Sequence, residues 1–130
     1  MARLRGRVFT GLGEGEFYVN LYARQFERAL GYKPYPGTLN IKLVPGSVEE
    51  WRRVITTHNC IIVEPPQIPG TRLARVKCYE ASLRGVRVHI VVPDISAYDE
   101  TVVELIAPES LREKLSLRDG DLVEVVVPNR

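Results

Sequence analysis

The chain has no apolar run near the roughly 20 residues that a membrane-spanning helix needs, so no membrane partner is expected. Its first residues, Met1-Ala2-Arg3-Leu4-Arg5, lack the apolar stretch of a secretory signal. Cysteine is scarce. Cys60 and Cys78 stand far apart, with no CxxC pair and no histidine spacing of a zinc site. This excludes a disulfide framework and predicts two reduced, partly buried thiols in a cytoplasmic protein. A large charge excess is also missing. The net charge is only +2, so nothing demands a nucleic-acid partner or an anionic surface. Two common nucleotide signatures are absent as well. No Gly-Lys-Ser/Thr follows the glycine cluster at residues 11–15, and the GxGxxG spacing fails there. There is no internal repeat, low-complexity segment or linker.

What remains is an ordinary globule. At 130 residues, 45% hydrophobic and 26% charged, the chain is long enough for one domain with its own core. Strand patterns dominate. Residues 4–10 read as a first strand, and Phe17-Tyr18-Val19 as a short second one. Tyr22, Phe26, Ala29 and Leu30 fall on one helical face, and Gly31 stops that helix. Ser47 and Glu50 have the spacing of a capping box for a helix running through Trp51 to about residue 55. Residues 60–63 form a strand, and Trp51 anchors a core. Residues 73–83 and 86–92 make longer strands, joined as a hairpin at Arg84-Gly85. His89 is expected as a hydrogen-bonded structural residue. Residues 101–106 form a strand, Pro108 opens a helix at the N1 position it favours, and residues 122–127 form the last strand. The pattern fits a small closed β-barrel with three short helices, mainly β in class.

Two stretches carry chemistry. In the run Thr38-Leu39-Asn40-Ile41-Lys42-Leu43, alternate side chains point to opposite faces. Leu39, Ile41 and Leu43 face a core, while Thr38, Asn40 and Lys42 share the other face. A hydroxyl and an amide oxygen then stand about 6.6 Å apart along the strand. They are either a wet strand face or neutral oxygen ligands for a hard cation such as Mg²⁺. Gly11-Leu12-Gly13-Glu14-Gly15 follows the first strand. It is either a tight turn or a concave nest of N–H groups for phosphate oxygens.

Together these stretches, with Phe17-Tyr18 and the run Leu30-Gly31-Tyr32-Lys33-Pro34-Tyr35-Pro36-Gly37-Thr38-Leu39-Asn40, resemble the archaeal CTP-dependent riboflavin kinases. The resemblance continues through Val91-Val92-Pro93, Glu104-Leu105-Ile106-Ala107-Pro108, Leu111-Arg112 and Asp119-Gly120-Asp121, in order along nearly the whole chain. It implies a six-stranded cradle-loop barrel spanning residues 1–130 as a single domain, without the N-terminal winged-helix domain of some members. It also implies phosphorylation of the 5′-hydroxyl of riboflavin by CTP with Mg²⁺, giving FMN and CDP. A monomer is expected.

By the same resemblance, Thr38 and Asn40 hold the metal. Gly11, Leu12, Gly13, Glu14, Gly15 and Glu16 bind nucleotide, as do Glu109, Ser110, Leu111 and Arg112. Ser96 and Glu104 contact the flavin, and Glu104 also orients the acceptor hydroxyl as the catalytic carboxylate. Ser96 stands where the family usually has threonine, so a methyl group is lost there. Read without the resemblance, Arg112 is a solvated helix charge, and Glu104 faces either solvent or a pocket. Lys42 is a further candidate for neutralising phosphate charge. A rival class is a non-enzymatic barrel of the DNA-binding transition-regulator type, suggested by the Leu117-to-Val125 ending. Against it, the arginines are interspersed with glutamates rather than gathered on one face. A second rival is an enzyme of the same fold that uses ATP or another alcohol.

Overall fold

A computed structural model describes residues 1–96 and 98–129. The elements follow in the order β1 (Ala2–Phe9), α1 (Glu14–Leu21), α2 (Ala23–Leu30), β2 (Leu39–Leu43), α3 (Pro45–Thr57), β3 (Ile61–Val63), β4 (Val76–Leu83), β5 (Val86–Pro93), β6 (Val102–Ile106), α4 (Leu111–Lys114) and β7 (Leu122–Val127). Six strands run in the order β4-β5-β6-β2-β1-β7. Pairs between β7 and β4 at Ser82–Val126 and Leu83–Val125 close them into a barrel. Every pairing is antiparallel, and β3 lies against the other half of the β4 edge that β7 closes. Closure satisfies backbone groups that a sheet edge would leave exposed.

Strand alternation divides the apolar residues into two cores. Leu4, Val8, Ile41, Ile90, Leu105 and Val125 fill the barrel interior, where α3 adds Val48, Trp51 and Val54. Trp51 is anchored there by an edge-on contact with Tyr79, ring centroids 5.4 Å apart. The second core lies on the barrel's outer face. There α1 and α2 lay Val19, Tyr22, Phe26 and Leu30 onto Val76, Cys78, Val91 and Ile106. Phe26 is fully buried in this layer, which is worth about 1.5–3 kcal/mol.

Strand register decides where the polar residues of that outer face go. Phe9, Asn40, Glu104, Val91 and Cys78 form one row across five strands. Residues directly opposite one another share a face, so Asn40 and Glu104 stand side by side where the helical layer begins. His89 is on the same face, fully buried, with the Tyr32 hydroxyl 2.8 Å from its Nδ1.

Several local expectations need correction. Phe17-Tyr18-Val19 is not a strand but lies within α1, whose first turn carries Glu14 and Glu16. Carboxylates there favour a helix through its N-terminal dipole. The third helix begins earlier than a Ser47 cap would allow. Pro45 occupies its first turn after Val44, and the Ser47 hydroxyl instead accepts the Arg5 N–H at 2.8 Å. Pro108 does not open the last helix. Ser110 caps it, accepting the Glu113 N–H at 3.4 Å. There are thus four helices among the described residues rather than three. The hairpin at Arg84-Gly85 is as expected, with φ of 48° and 80° at the two turn residues, as a type I′ turn requires. No helix of the described residues is long and apolar enough to cross a membrane.

Candidate active site

The outer-face row is the floor of a cluster of oxygen atoms. The Thr38 hydroxyl lies 3.0 Å from Asn40 Oδ1 and 3.2 Å from Glu104 Oε1. It has one hydrogen, so it donates to one of the two at a time and keeps its lone pairs for another partner. Asn40 is buried, only 8% exposed, rather than standing on a wet face. Glu104 is half-buried. Burial pushes its carboxyl above the usual carboxylate range, the Thr38 hydrogen bond opposes this, and the nearby Glu14 carboxylate adds to it. Lys42 lies apart, its ammonium bound to the Thr101 hydroxyl at 2.6 Å.

The glycine segment closes over this cluster. Only its first part is a loop, because Glu14, Gly15 and Glu16 are the first turn of α1. The N–H groups of such a turn lack helical partners and can receive an anion. Only Gly13 takes a positive φ, at 83°. Gly11 and Gly15 are needed for a different reason, close approach. A Cβ on Gly15 would lie 2.6 Å from Thr38 Oγ1. One on Gly11 would collide with the Asn40 amide and lie 2.7 Å from the Tyr98 hydroxyl. That hydroxyl also accepts the Leu12 N–H at 2.9 Å, tying the glycine loop to the segment after β5.

Two cavities meet at Thr38. The larger, about 620 Å³, is lined by Leu12, Gly13, Glu14 and Gly15, by Ser96 and Tyr98, and by Thr38, Asn40 and Glu104. Its size is that of a small-molecule pocket. The smaller, about 150 Å³, is lined by Tyr35, Gly37, Thr38 and Leu39 on one side and by Glu109, Ser110, Leu111 and Arg112 on the other. The residues expected at a nucleotide are therefore divided between two cavities that share one threonine. Gly11 and Glu16 line neither cavity. Arg112 is not simply solvated. It reaches Asp119 at 2.7 Å, and the other oxygen of Asp119 accepts the Thr10 hydroxyl at 2.8 Å. One carboxylate thus links the end of β1 to α4. These hydrogen bonds hold Asp119 below the usual carboxylate range.

No group of three or more His, Cys, Asp or Glu side chains suited to a metal occurs among the described residues. The Thr38–Asn40–Glu104 set is all oxygen, the donor type of a hard cation that completes its shell with water and phosphate. Its residues fit such an ion.

The family model CTP-dep_RFKase, described as "Domain of unknown function DUF120", matches residues 8–127. The chain belongs to the CTP-dependent riboflavin kinase family. A protein named riboflavin kinase from Aeropyrum pernix is 49% identical over 119 residues, 91% of this chain and 89% of that protein. Others bearing the name are 47% identical in Pyrobaculum islandicum, over 96% of this chain, and 40% in Methanocella arvoryzae, over 95%. The chain spans 60% and 56% of those two proteins. As a member of this kinase family it is a phosphotransferase acting on an alcohol. The sequence assigned no site role to Tyr98, Phe17 and Tyr18, which line the larger cavity, or to Asp119, which Arg112 contacts. Tyr98 meets Leu12 and Asp119 meets Thr10 across most of the chain, although Arg112 is only seven residues from Asp119. Phe17 and Tyr18 had a signal, an aromatic pair directly after the glycine segment, but it read as a strand.

Proposed function

We propose that the chain transfers the γ-phosphoryl group of CTP to the 5′-hydroxyl of riboflavin, releasing FMN and CDP. The observation that carries this reading is the Thr38–Asn40–Glu104 cluster, which lies where the two cavities join. In this reading the flavin occupies the larger cavity beside Ser96 and Glu104. The base of the nucleotide enters the smaller cavity against Glu109, Ser110, Leu111 and Arg112. The choice of CTP as donor follows the family to which the chain belongs. The triphosphate then crosses Thr38 toward Gly11, Leu12, Gly13 and the first turn of α1 at Glu14, Gly15 and Glu16.

Thr38 and Asn40 would hold Mg²⁺ through their oxygens, and the ion would supply charge neutralisation for the transferring phosphoryl group. Glu104 accepts the hydrogen bond of the 5′-hydroxyl and aims its oxygen at the γ-phosphorus. As the new P–O bond forms and the bond to the bridging oxygen of CDP breaks, the hydroxyl proton passes to the Glu104 carboxylate. Its raised proton affinity suits it to that task. The N–H groups at the start of α1 offer hydrogen bonds to phosphate oxygens, and positioning of this kind is most of what phosphoryl transfer asks of a protein.

The nucleic-acid-module reading finds less support. Of the outward arginines of β1 and β5, Arg3 and Arg5 pair with Glu124 and Arg87 with Glu80, while Arg7 donates to the Gly120 carbonyl. The deciding experiment mixes the protein with riboflavin, Mg²⁺ and each of the four nucleoside triphosphates in turn, following FMN by chromatography. CTP is expected to give FMN fastest. If no triphosphate gives FMN above the protein-free control, the reading fails.

A further inference from the structure

Phe17, Ile95 and Leu12 are the most exposed large apolar side chains among the described residues, at 72%, 72% and 69%. Single exposed apolar residues need no explanation. These three, however, all line the same cavity, the larger one. They come from two segments. Leu12 and Phe17 belong to the glycine loop and the first turns of α1, and Ile95 to the segment after β5. The bond from the Leu12 N–H to the Tyr98 hydroxyl holds the two segments together, and Tyr98 is braced edge-on by Phe9, centroids 5.8 Å apart. The mouth is thus a built feature.

The cavity is polar at the Thr38–Asn40–Glu104 cluster and apolar at this mouth. Phe17 contributes nothing to the second core, which α1 supplies with Val19. Riboflavin has a matching gradient, a polyol chain ending in the acceptor hydroxyl and a flat tricyclic ring. We propose that Phe17, Ile95 and Leu12 grip the flavin ring, with Phe17 stacked on its face, and that this grip selects an intact flavin over a bare polyol. The inference rests on the riboflavin reading above and adds the residues that set substrate choice. Aromatic rings favour offset stacking, and a half-exposed apolar mouth gains by being covered.

The test measures quenching of intrinsic flavin fluorescence on titration with wild-type protein, Phe17→Ala and Phe17→Tyr. Two probes are used, riboflavin and lumichrome, which keeps the tricyclic ring but lacks the ribityl chain. Wild type is expected to bind both. Phe17→Ala should weaken both by a similar factor of about ten, equivalent to about 1.4 kcal/mol, and Phe17→Tyr should restore them. Riboflavin KM should rise more than kcat falls. The melting temperature should hold, because the ring is exposed. Ile95→Ser repeats the test in a variant whose α1 is untouched, with a smaller loss expected. Riboflavin affinity within twofold of wild type in both Phe17→Ala and Ile95→Ser overturns the proposal. So does a loss confined to riboflavin, with lumichrome unaffected, because the chain and not the ring would then be what Phe17 reads. A wild-type protein that makes FMN but ignores lumichrome overturns the ring grip alone. One that neither binds riboflavin nor makes FMN removes the functional reading and this inference together.

Discussion

Replacing Gly15 by alanine should separate folding from catalysis. Gly15 lies in the first turn of α1, where alanine is the better helix former by about 0.8–1.0 kcal/mol in a helix interior. The new methyl group, however, meets Thr38 Oγ1 at 2.6 Å and Thr38 N at 3.2 Å. Ordinary contact begins near 3.4 Å, so the Thr38 hydroxyl must retreat by about 0.8 Å (3.4 − 2.6). Its hydrogen bond to Asn40 starts at 3.0 Å. The same displacement in that direction carries it past hydrogen-bonding range. A misplacement of about 1 Å at a reacting site costs about 10²-fold. Gly15→Ala should therefore lose about two orders of magnitude in FMN formation per enzyme while its melting temperature changes little, the helical gain offsetting the contact. Gly31→Ala is the contrasting variant. It sits at φ 84° with nothing within 4 Å of its Cβ, so it should lose stability, on the order of 1 kcal/mol, and keep its turnover. The assay is steady-state FMN production at limiting Mg²⁺, beside thermal unfolding of each variant. Wild-type turnover in Gly15→Ala would refute the claim that the glycine segment sets the position of Thr38.

Three further outcomes are expected. Thr38→Ala and Asn40→Ala should each raise the Mg²⁺ concentration needed for half-maximal FMN production without unfolding the protein; an unchanged Mg²⁺ dependence would show that the pair does not hold the ion. Glu104→Gln should lower kcat by about 10²-fold or less. Native Glu104 holds its proton to higher pH than the unfolded chain does, so wild type loses stability as pH rises from the ordinary carboxylate range through the raised value; the glutamine variant should lack that loss in urea titrations across pH 4–8. His89 is pushed down to about 4 by burial, so native protein binds fewer protons than unfolded chain between about pH 6.5 and 4. Stability should fall as pH falls through that window, and a urea midpoint that stays level across it would contradict neutral burial of the imidazole.

The strand skeleton was legible because alternation is a local signal. Leu39, Ile41 and Leu43 announced an inward face, and the interior core contains all three. The first helix was not legible. Phe17-Tyr18-Val19 looks like a β run, and exposed Phe17 breaks the apolar stripe that marks a helix. Ser47 misled for a related reason: a capping box can be read from spacing, but Pro45 two residues earlier competes for the helix start. Thr38, Asn40 and Glu104 could be named as candidates, yet their company could not be seen. That depends on strand order bringing β6 beside β2, and on a helical layer covering an outer barrel face. Asp119 read as part of a turn and of the family motif, but its bond to Thr10 could not be seen, because that partner lies near the other end of the chain.

The site sits on the outside of the barrel, and this has a consequence for how the molecule can change. Side chains that fill the interior point away from Asn40 and Glu104. Lineages adapting to heat or cold can therefore exchange Leu, Ile and Val inside the barrel without redrawing the reaction geometry. The helical layer has less latitude, since Val19, Tyr22 and Phe26 pack on the same outer face as Asn40 and Glu104, and Tyr22 also lines the larger cavity. Divergence should accumulate unevenly, fast within the barrel lumen and slowly beneath the two helices.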